Sequence, residues 1–377
     1  MRLLTVGHSY CVGLNRRLAH DLSREWPAGT EVFFVAPRRI RGDLGPIRLE
    51  VEPAEPVRVE GVGTWPPAPP QLMMYGPRLR SILRERWDLV HCWEEPFTLA
   101  AGQVARGADP TVPLVYWTAQ SLPKRYPPPF AEVEKRCVGR CQGWLAAGTT
   151  VVEALESRGE YGRKPHRVMP LGVDAELFRP DPARREEARR RLGWDLDGPP
   201  VVGFLGRFVA EKGLDMFMST LDAMKGAARA LAVGGGAMEP ALKAWADRRG
   251  GGDRVVTGVG HAEVPAYLNA MDVLMAPSQS TPRWKEQFGR MIVEAFASGL
   301  AVVGSDSGEI PDVVGDAGIV VGERDLDAWV EAVGGLVEDA RLRAALGAKG
   351  RERAMAEYRW PVVARNHWDF FREIMRE

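Results

Sequence analysis

The sequence predicts an α/β protein made of two doubly wound parallel-sheet domains. Three observations carry that expectation. Short apolar runs alternate with amphipathic stretches along most of the chain, as in successive βαβ units. The 377 residues are long for a single core and fit two domains of ordinary size. The alternation also breaks near residue 180 and begins afresh at residue 201.

In the first half, residues 3–6 form a strand, His8 to Gly13 the loop after it, and residues 14–22 a helix. Further strands are expected at 31–35, 88–92, 113–117, 143–147 and 167–170, with helices between several of them. The proline-rich segments 65–70 and 126–129 are too short to be linkers and read as ordered loops. A basic helix at 183–192 follows the break, and its arginines alternate with Glu186 and Glu187, which suggests a solvated face. Strands of the second half fall at 201–208, 230–233, 255–257, 273–276, 300–304 and 318–321. The domains are thus 1–180 and 181–358. Residues 359–377 form an amphipathic helix with Trp368, Phe370 and Phe371 as anchors, expected to cross back and pack on the first domain.

Composition excludes several classes. Lys+Arg and Asp+Glu both number 50, so no global field draws nucleic acid. The first 180 residues carry roughly four excess positive charges, which leaves weak attraction to anionic lipid open. Cys11, Cys92, Cys137 and Cys141 show no framework spacing and read as reduced thiols. The amino terminus runs directly into a strand with no signal-peptide core, and no apolar run approaches a membrane span. A cytoplasmic protein is expected.

Two stretches carry chemistry. Residues 284–308 read as a loop, a helix opened by Phe288-Gly289, a turn at Ser298-Gly299 and a buried strand. Glu286 precedes this helix and Glu294 lies inside it. The N–H groups of a helix start make an anion site, while flanking carboxylates accept bonds from sugar hydroxyls. A ligand carrying a diphosphate between two sugars satisfies both. In residues 201–213 a buried strand ends at Gly206-Arg207, and Lys212-Gly213 opens the next helix. Ligands of open α/β sheets bind outside the carboxyl ends of strands. There Gly206 permits close backbone approach, Arg207 offers a planar fork and Lys212 a mobile point charge for phosphate.

Together these motifs resemble the family 4 retaining glycosyltransferases of GT-B fold. The resemblance rests on G-R-x-x-x-E-K-G at Gly206 to Gly213 and E-x-F-G-x-x-x-x-E-A at Glu286 to Ala295. It continues through the turn from Ser307 to Asp312, covering the second domain closely and the first only by layout. It implies two Rossmann-like domains facing across a cleft and hexose transfer from a UDP- or GDP-sugar. Glu286 would touch the donor sugar, Glu294 the ribose, and Arg207 and Lys212 the diphosphate, with Phe288, Gly289 and Arg290 at the helix start. Val259 and His261 correspond to the seat of the base, and Gly13 to the loop facing the donor. On the acceptor side stand His8, Glu94, Glu95, Trp117 and Gln120. Many members place a histidine where this chain has Trp117, so Gln120 or Thr118 would take over its polar contact. The acceptor itself stays open: a glycan, a lipid-linked sugar or a small molecule, with peripheral membrane contact also open.

The resemblance implies no cofactor and no metal. Two D-x-D triplets, Asp195/Asp197 and Asp325/Asp327, could hold a metal in another transferase class. Here one lies in the linker and the other reads as a helix cap. A nucleotide-sugar epimerase and a non-catalytic sugar-nucleotide binder share the diphosphate cradle and remain alternatives. A dehydrogenase lacks support, because Gly7 and Gly13 do not make the G-x-G-x-x-G spacing.

Overall fold

The computed structural model describes residues 1–376 except 19–20, 22–23, 25, 43–44, 52–54 and 67–68. It divides into a first unit, Met1–Gly172 with Trp360–Glu377, and a second, Val173–Arg359.

The first unit contains strands β1 (Arg2–Val6), β2 (Glu31–Pro37), β3 (Arg58–Val62), β4 (Leu89–Cys92), β5 (Leu114–Thr118), β6 (Gly143–Ala146) and β7 (His166–Val168). They run parallel in the order β7-β6-β5-β4-β1-β2-β3. Strands β1, β4, β5 and β6 are buried nearly throughout, which is why they read as unbroken apolar runs. β3 was not legible. Its RVEGV sequence mixes charge with apolar residues because it is a partly exposed edge strand. Likewise unexpected are the antiparallel hairpin Arg39–Gly42 with Gly45–Arg48 and the short pair Thr64–Trp65 with Met74–Tyr75. The helix expected at 14–22 begins as a tight 3-10 stretch, Gly13–Arg16. Residues 19, 20 and 22 of the expected helix, and Pro67 and Ala68 of the proline-rich segment, fall outside the described residues.

The last helix, Trp360–Ile374, belongs to the first unit. Its apolar face explains this. Trp368 lies 4.9 Å from Trp26, and Phe371 lies 5.2 Å from His91, ring centre to ring centre. Phe370, Phe371 and Ile374 join the same core as β1 and β4.

The second unit's strands are β8 (Val201–Arg207), β9 (Arg229–Gly235), β10 (Arg254–Thr257), β11 (Val273–Ala276), β12 (Ala301–Ser305) and β13 (Ile319–Val321). Their order is β10-β9-β8-β11-β12-β13, again all parallel. Each sheet therefore reverses its direction of growth at one place, between β1 and β4 in the first and between β8 and β11 in the second. Helices splay apart at such a point and leave room above the strand ends.

The helix Pro182–Arg191 corrects the expectation of a solvated basic face. Arg189 is 2% exposed and its Nη2 lies 2.6 Å from Asp272 Oδ2; Arg185 Nη2 reaches Oδ1 at 2.7 Å. These arginines also donate to the carbonyls of Asn269, Ala270 and Met271 at the end of Val264–Ala270. A half-buried aspartate and a helix C-terminus pull two cations inward, a pairing no local pattern announces. All four cysteines are buried free thiols, and burial pushes Cys11 and Cys137 up to about 12 and Cys141 to about 11. Among the described residues, no helix is long and apolar enough to cross a membrane.

Candidate functional site

The polar groups of the second unit gather where its sheet reverses. β8 delivers Arg207, and a short 3-10 turn, Ala210–Lys212, carries Lys212. The turn must be tight, because Gly213 opens the next helix at φ +73° with its α-carbon facing Pro277. A Cβ there would sit 1.7 Å from the Pro277 carbonyl oxygen, so only glycine fits. The loop after β11 supplies Ser278 and Glu286. Glu286 Oε2 accepts from Lys212 Nζ at 2.5 Å and from Ser278 Oγ at 2.7 Å. Both Glu286 and Ser278 are buried, and Lys212 also lies 5.1 Å from the Trp284 ring centre. Arg207 Nη2 stands 3.9 Å from Glu211.

The helix beyond this loop starts one step later than the sequence suggests. It spans Arg290–Ala297, with Gly289 as its N-cap in the left-handed region at φ +80°. The first-turn N–H groups therefore belong to Arg290 and the residues after it, not to Phe288 and Gly289. The Phe288 side chain is buried against Tyr358. Glu294 is the fifth residue of the helix, so it stands about one turn inside. His261 Nε2 lies 2.9 Å from Glu294 Oε1, and its ring is 5.2 Å from Phe178. His261 opens the turn after β10, and Val259, beside it, is half-buried. Arg290 is half-exposed; desolvation lowers its proton affinity, and the Glu294 carboxylate opposes that shift.

The first unit has a second cluster at its own reversal point. His8 follows β1 and Glu94 follows β4. His8 Nδ1 lies 2.5 Å from Glu94 Oε2, while Tyr75 donates its hydroxyl to Oε1 at 2.8 Å. Burial opposes the charged imidazole, yet the Glu94 and Glu95 carboxylates hold His8 above its ordinary pKa. Glu95 accepts from Thr118 Oγ1 at 2.6 Å and from the Ala119 amide at 2.8 Å. Burial still raises its carboxyl, against those bonds. Gln120 is buried, accepts from Tyr126 and Arg158, and lies 3.5 Å from Thr118 Oγ1.

Two predicted residues stand apart from these groups. Trp117 stacks on Trp93 at 4.5 Å and donates its indole N–H to the Met169 carbonyl, so it is a core residue here. The Gly13 amide donates to Glu50 at 2.7 Å.

Two family models match this chain: "Glycosyltransferase Family 4" over residues 16–177 and "Glycosyl transferases group 1" over residues 199–339. The chain belongs to glycosyltransferase family 4. A GDP-mannose-dependent alpha-(1-6)-phosphatidylinositol monomannoside mannosyltransferase of Mycobacterium tuberculosis is 36% identical over 214 residues, 54% of this chain and 55% of that protein. A D-inositol 3-phosphate glycosyltransferase of Acidothermus cellulolyticus is 31% identical over 306 residues, 74% of this chain and 66% of that one. The chain thus spans little more than half the length of the mannosyltransferase. Anabaena HepE, solved with UDP, superposes with a TM-score of 0.76 at 18% identity, covering 99% of this chain and 100% of that one. The fold is GT-B.

Family 4 membership was legible from the glutamate and Arg-Lys motifs, but three features around the second unit's cluster were not singled out as part of its site. Ser278 carries no motif beyond following a buried strand. Glu309, buried, donates its amide to the Glu286 carbonyl at 3.0 Å and so fixes the loop. The run Gly234-Gly235-Gly236 ends β9, and three glycines after an apolar run could have signalled another strand end open to a ligand. Of the D-x-D triplets, Asp325 caps the helix Leu326–Glu338 by accepting from the Ala328 amide at 3.0 Å.

Proposed function

We propose that this chain transfers a hexose from a UDP- or GDP-sugar to an acceptor hydroxyl, with retention at the anomeric carbon and without a metal ion. The observation that carries the reading is the convergence of Lys212, Ser278 and Glu286 at the reversal point of the second sheet. Glu286 immediately precedes the Arg290–Ala297 helix that also bears the His261–Glu294 pair.

Arg207, Lys212 and the first-turn amides of that helix would hold the diphosphate and meet the charge that develops on it. That cationic set supplies the stabilisation a metal gives elsewhere. Glu294 and His261 would take the ribose and base end, and Glu286 a hydroxyl of the sugar. The bond from the anomeric carbon to phosphate oxygen breaks as the acceptor oxygen bonds on the same face. The leaving phosphate oxygen receives the acceptor proton, so no separate protein base is required. His8, Glu94, Glu95 and Gln120 would bind the acceptor, which we assign to a glycan, a lipid-linked sugar or a small polyol. The relatives named above, which act on inositol-bearing acceptors by their names, support a hydroxyl-rich acceptor.

A thermal-shift panel of UDP, GDP, ADP and their sugars, with and without EDTA, tests the donor site. Binding to the native chain raises the midpoint by mass action. One nucleotide should shift it, equally in EDTA. No shift with any of them overturns the donor assignment, and a shift abolished by EDTA overturns metal independence. Arg207→Ala should then lower turnover roughly ten- to a hundredfold, the cost of one charged hydrogen bond in the transition state. Turnover within about threefold of the unsubstituted chain would remove Arg207 from the mechanism.

A further inference from the structure

Two side chains flank the Lys212 ammonium, and the reaction proposed above uses only one of them. Glu286 accepts one of its N–H groups, while the Trp284 indole lies on another side with its ring centre 5.1 Å from Nζ. Trp284 stands two positions before Glu286 in the loop after β11 and is half-buried. Among the described residues its indole pairs with no other ring and makes no hydrogen bond. An ammonium within about 6 Å of a ring centre is drawn to the negative face of the ring, and tryptophan gives the strongest contact of this kind. The Lys212 side chain is only 14% exposed, so water screens that attraction little.

The main chain holds the indole in place. The Thr281 amide donates to the Trp284 carbonyl at 2.8 Å and the Trp284 amide donates back at 3.3 Å, closing a tight turn with Pro282 and Arg283 exposed at its tip. These bonds make no use of the tryptophan side chain. The loop is fastened on several sides as well. The Gln279 amide donates to the carbonyl of Glu211, next to Lys212, at 2.8 Å. The Ser280 amide donates to Glu323 Oε2 at 2.6 Å, and Ser280 Oγ meets Ser307 Oγ at 2.9 Å. Indole and ammonium are thus carried by segments bonded directly to each other. A lysine needs such a support, because its four-carbon stem is flexible and ordering it costs entropy. Glu286 orders the stem too, but its charge opposes the field that Lys212 offers an anion. A neutral ring orders it without that opposition. The ring also takes up no particular N–H, so the groups Glu286 leaves over stay available to phosphate oxygens.

We propose that Trp284 is a positioning residue, whose indole fixes the Lys212 ammonium for the donor's diphosphate and keeps it there when Glu286 turns to the sugar. As phosphate oxygens claim the lysine, Glu286 Oε2 loses a donor and gains a lone pair for a sugar hydroxyl. The inference rests on the reading of Lys212 as a diphosphate ligand and adds what holds that lysine in place.

The first measurement needs no nucleotide. In the full chain labelled with fluorotryptophan, the fluorine resonance missing from Trp284→Phe belongs to Trp284, and Lys212→Met should move it. A resonance that stays in place overturns the proposal. The second measurement is calorimetry with UDP and with GDP. Trp284→Leu should bind the nucleotide that the unsubstituted chain prefers roughly five- to thirtyfold more weakly, the range that a partly desolvated contact between cation and ring spans. Trp284→Phe keeps a ring face and should stay within about threefold. In a Lys212→Met background the Trp284→Leu step should change nothing further, as for two residues that act as one unit. The thermal midpoint of ligand-free Trp284→Leu should stay close to that of the unsubstituted chain, which separates a misplaced lysine from lost folding. Full-strength binding by Trp284→Leu overturns the proposal. So does a loss of equal size with and without the lysine, for then the indole touches the nucleotide or shapes the loop by itself. An unsubstituted chain that binds neither nucleotide overturns the diphosphate reading, and this role of Trp284 falls with it; a failure seen only in the variants strikes the role of Trp284 alone.

Discussion

Glu286 accepts two bonds on one oxygen, and its partners have different jobs. Ser278 holds the carboxylate in place; Lys212 is the cation that a diphosphate would claim. While Glu286 is ionised it weakens the positive field Lys212 offers an anion. Glu286→Gln keeps an acceptor for Ser278 but releases the lysine. The expected outcome is nucleoside diphosphate binding that is unchanged or tighter, with sugar transfer reduced roughly tenfold or more. Calorimetry with the nucleotide found in the thermal-shift panel, alongside turnover, checks both arms. Diphosphate binding that weakens in this variant would show that the carboxylate, and not the lysine, faces the ligand. These residues were legible because their spacing is local: a strand end followed by a cation, a loop glutamate followed by a helix. Ser278 was not, since a serine after a strand is common and its partner lies eight positions away across a loop.

At the level of elements, the cluster depends on turns that have no spare volume. Gly308 sits at φ +57°, and a Cβ there would lie 2.0 Å from the Glu286 carbonyl oxygen. Gly308→Ala must displace the very loop that presents Glu286. It should lose most turnover and destabilise the second unit by about 1–3 kcal/mol, the usual cost of a strained backbone site. Normal activity in this variant would mean that the loop is not held rigidly in place. The arginine helix makes a parallel case. Sequence pattern shows only that Arg185 and Arg189 alternate with glutamates; it cannot show that Asp272, some eighty positions away, turns them inward. Burial raises the Asp272 carboxyl, but Arg185, the Val201 amide and Arg189 together bring it below its ordinary value. Asp272→Ala leaves Arg189 buried without its carboxylate and should cost about 3–5 kcal/mol in a denaturant melt. A loss under about 1 kcal/mol would mean that the carbonyls of Ala270 and Leu196 suffice for that guanidinium. Apart from β3 and the two short antiparallel pairs, the strands were read within a residue or two for the same physical reason that the arginine pair was missed. Burial on both faces writes itself into local composition, whereas a tertiary ion pair does not.

Over the whole molecule, the chain closes its first unit with its last helix, which makes that unit depend on residues far apart in sequence. The amphipathic pattern of Trp360–Ile374 was legible, and so was its need for an apolar partner. What the helix carries into the core was not. His367 packs 5.9 Å from His91, both fully buried, with Trp93 and Phe371 around them. His91 Nδ1 meets Thr5 Oγ1 and His367 Nδ1 meets the Val363 carbonyl, while neither Nε2 has a partner. Burial drives His91 well below its ordinary value and His367 down to about 4. An unfolded chain takes up protons on both imidazoles below about pH 6.5, which the folded core refuses. The stability they confer is therefore complete above that pH and drains as pH falls toward 4. His367 alone accounts for on the order of 3 kcal/mol across that window. Thermal or urea midpoints at pH 7 and pH 5 should show the loss, and His367→Leu should flatten it. If the substituted chain loses stability between those two pH values as steeply as the original, the neutral imidazole is not what makes the closing helix acid-sensitive.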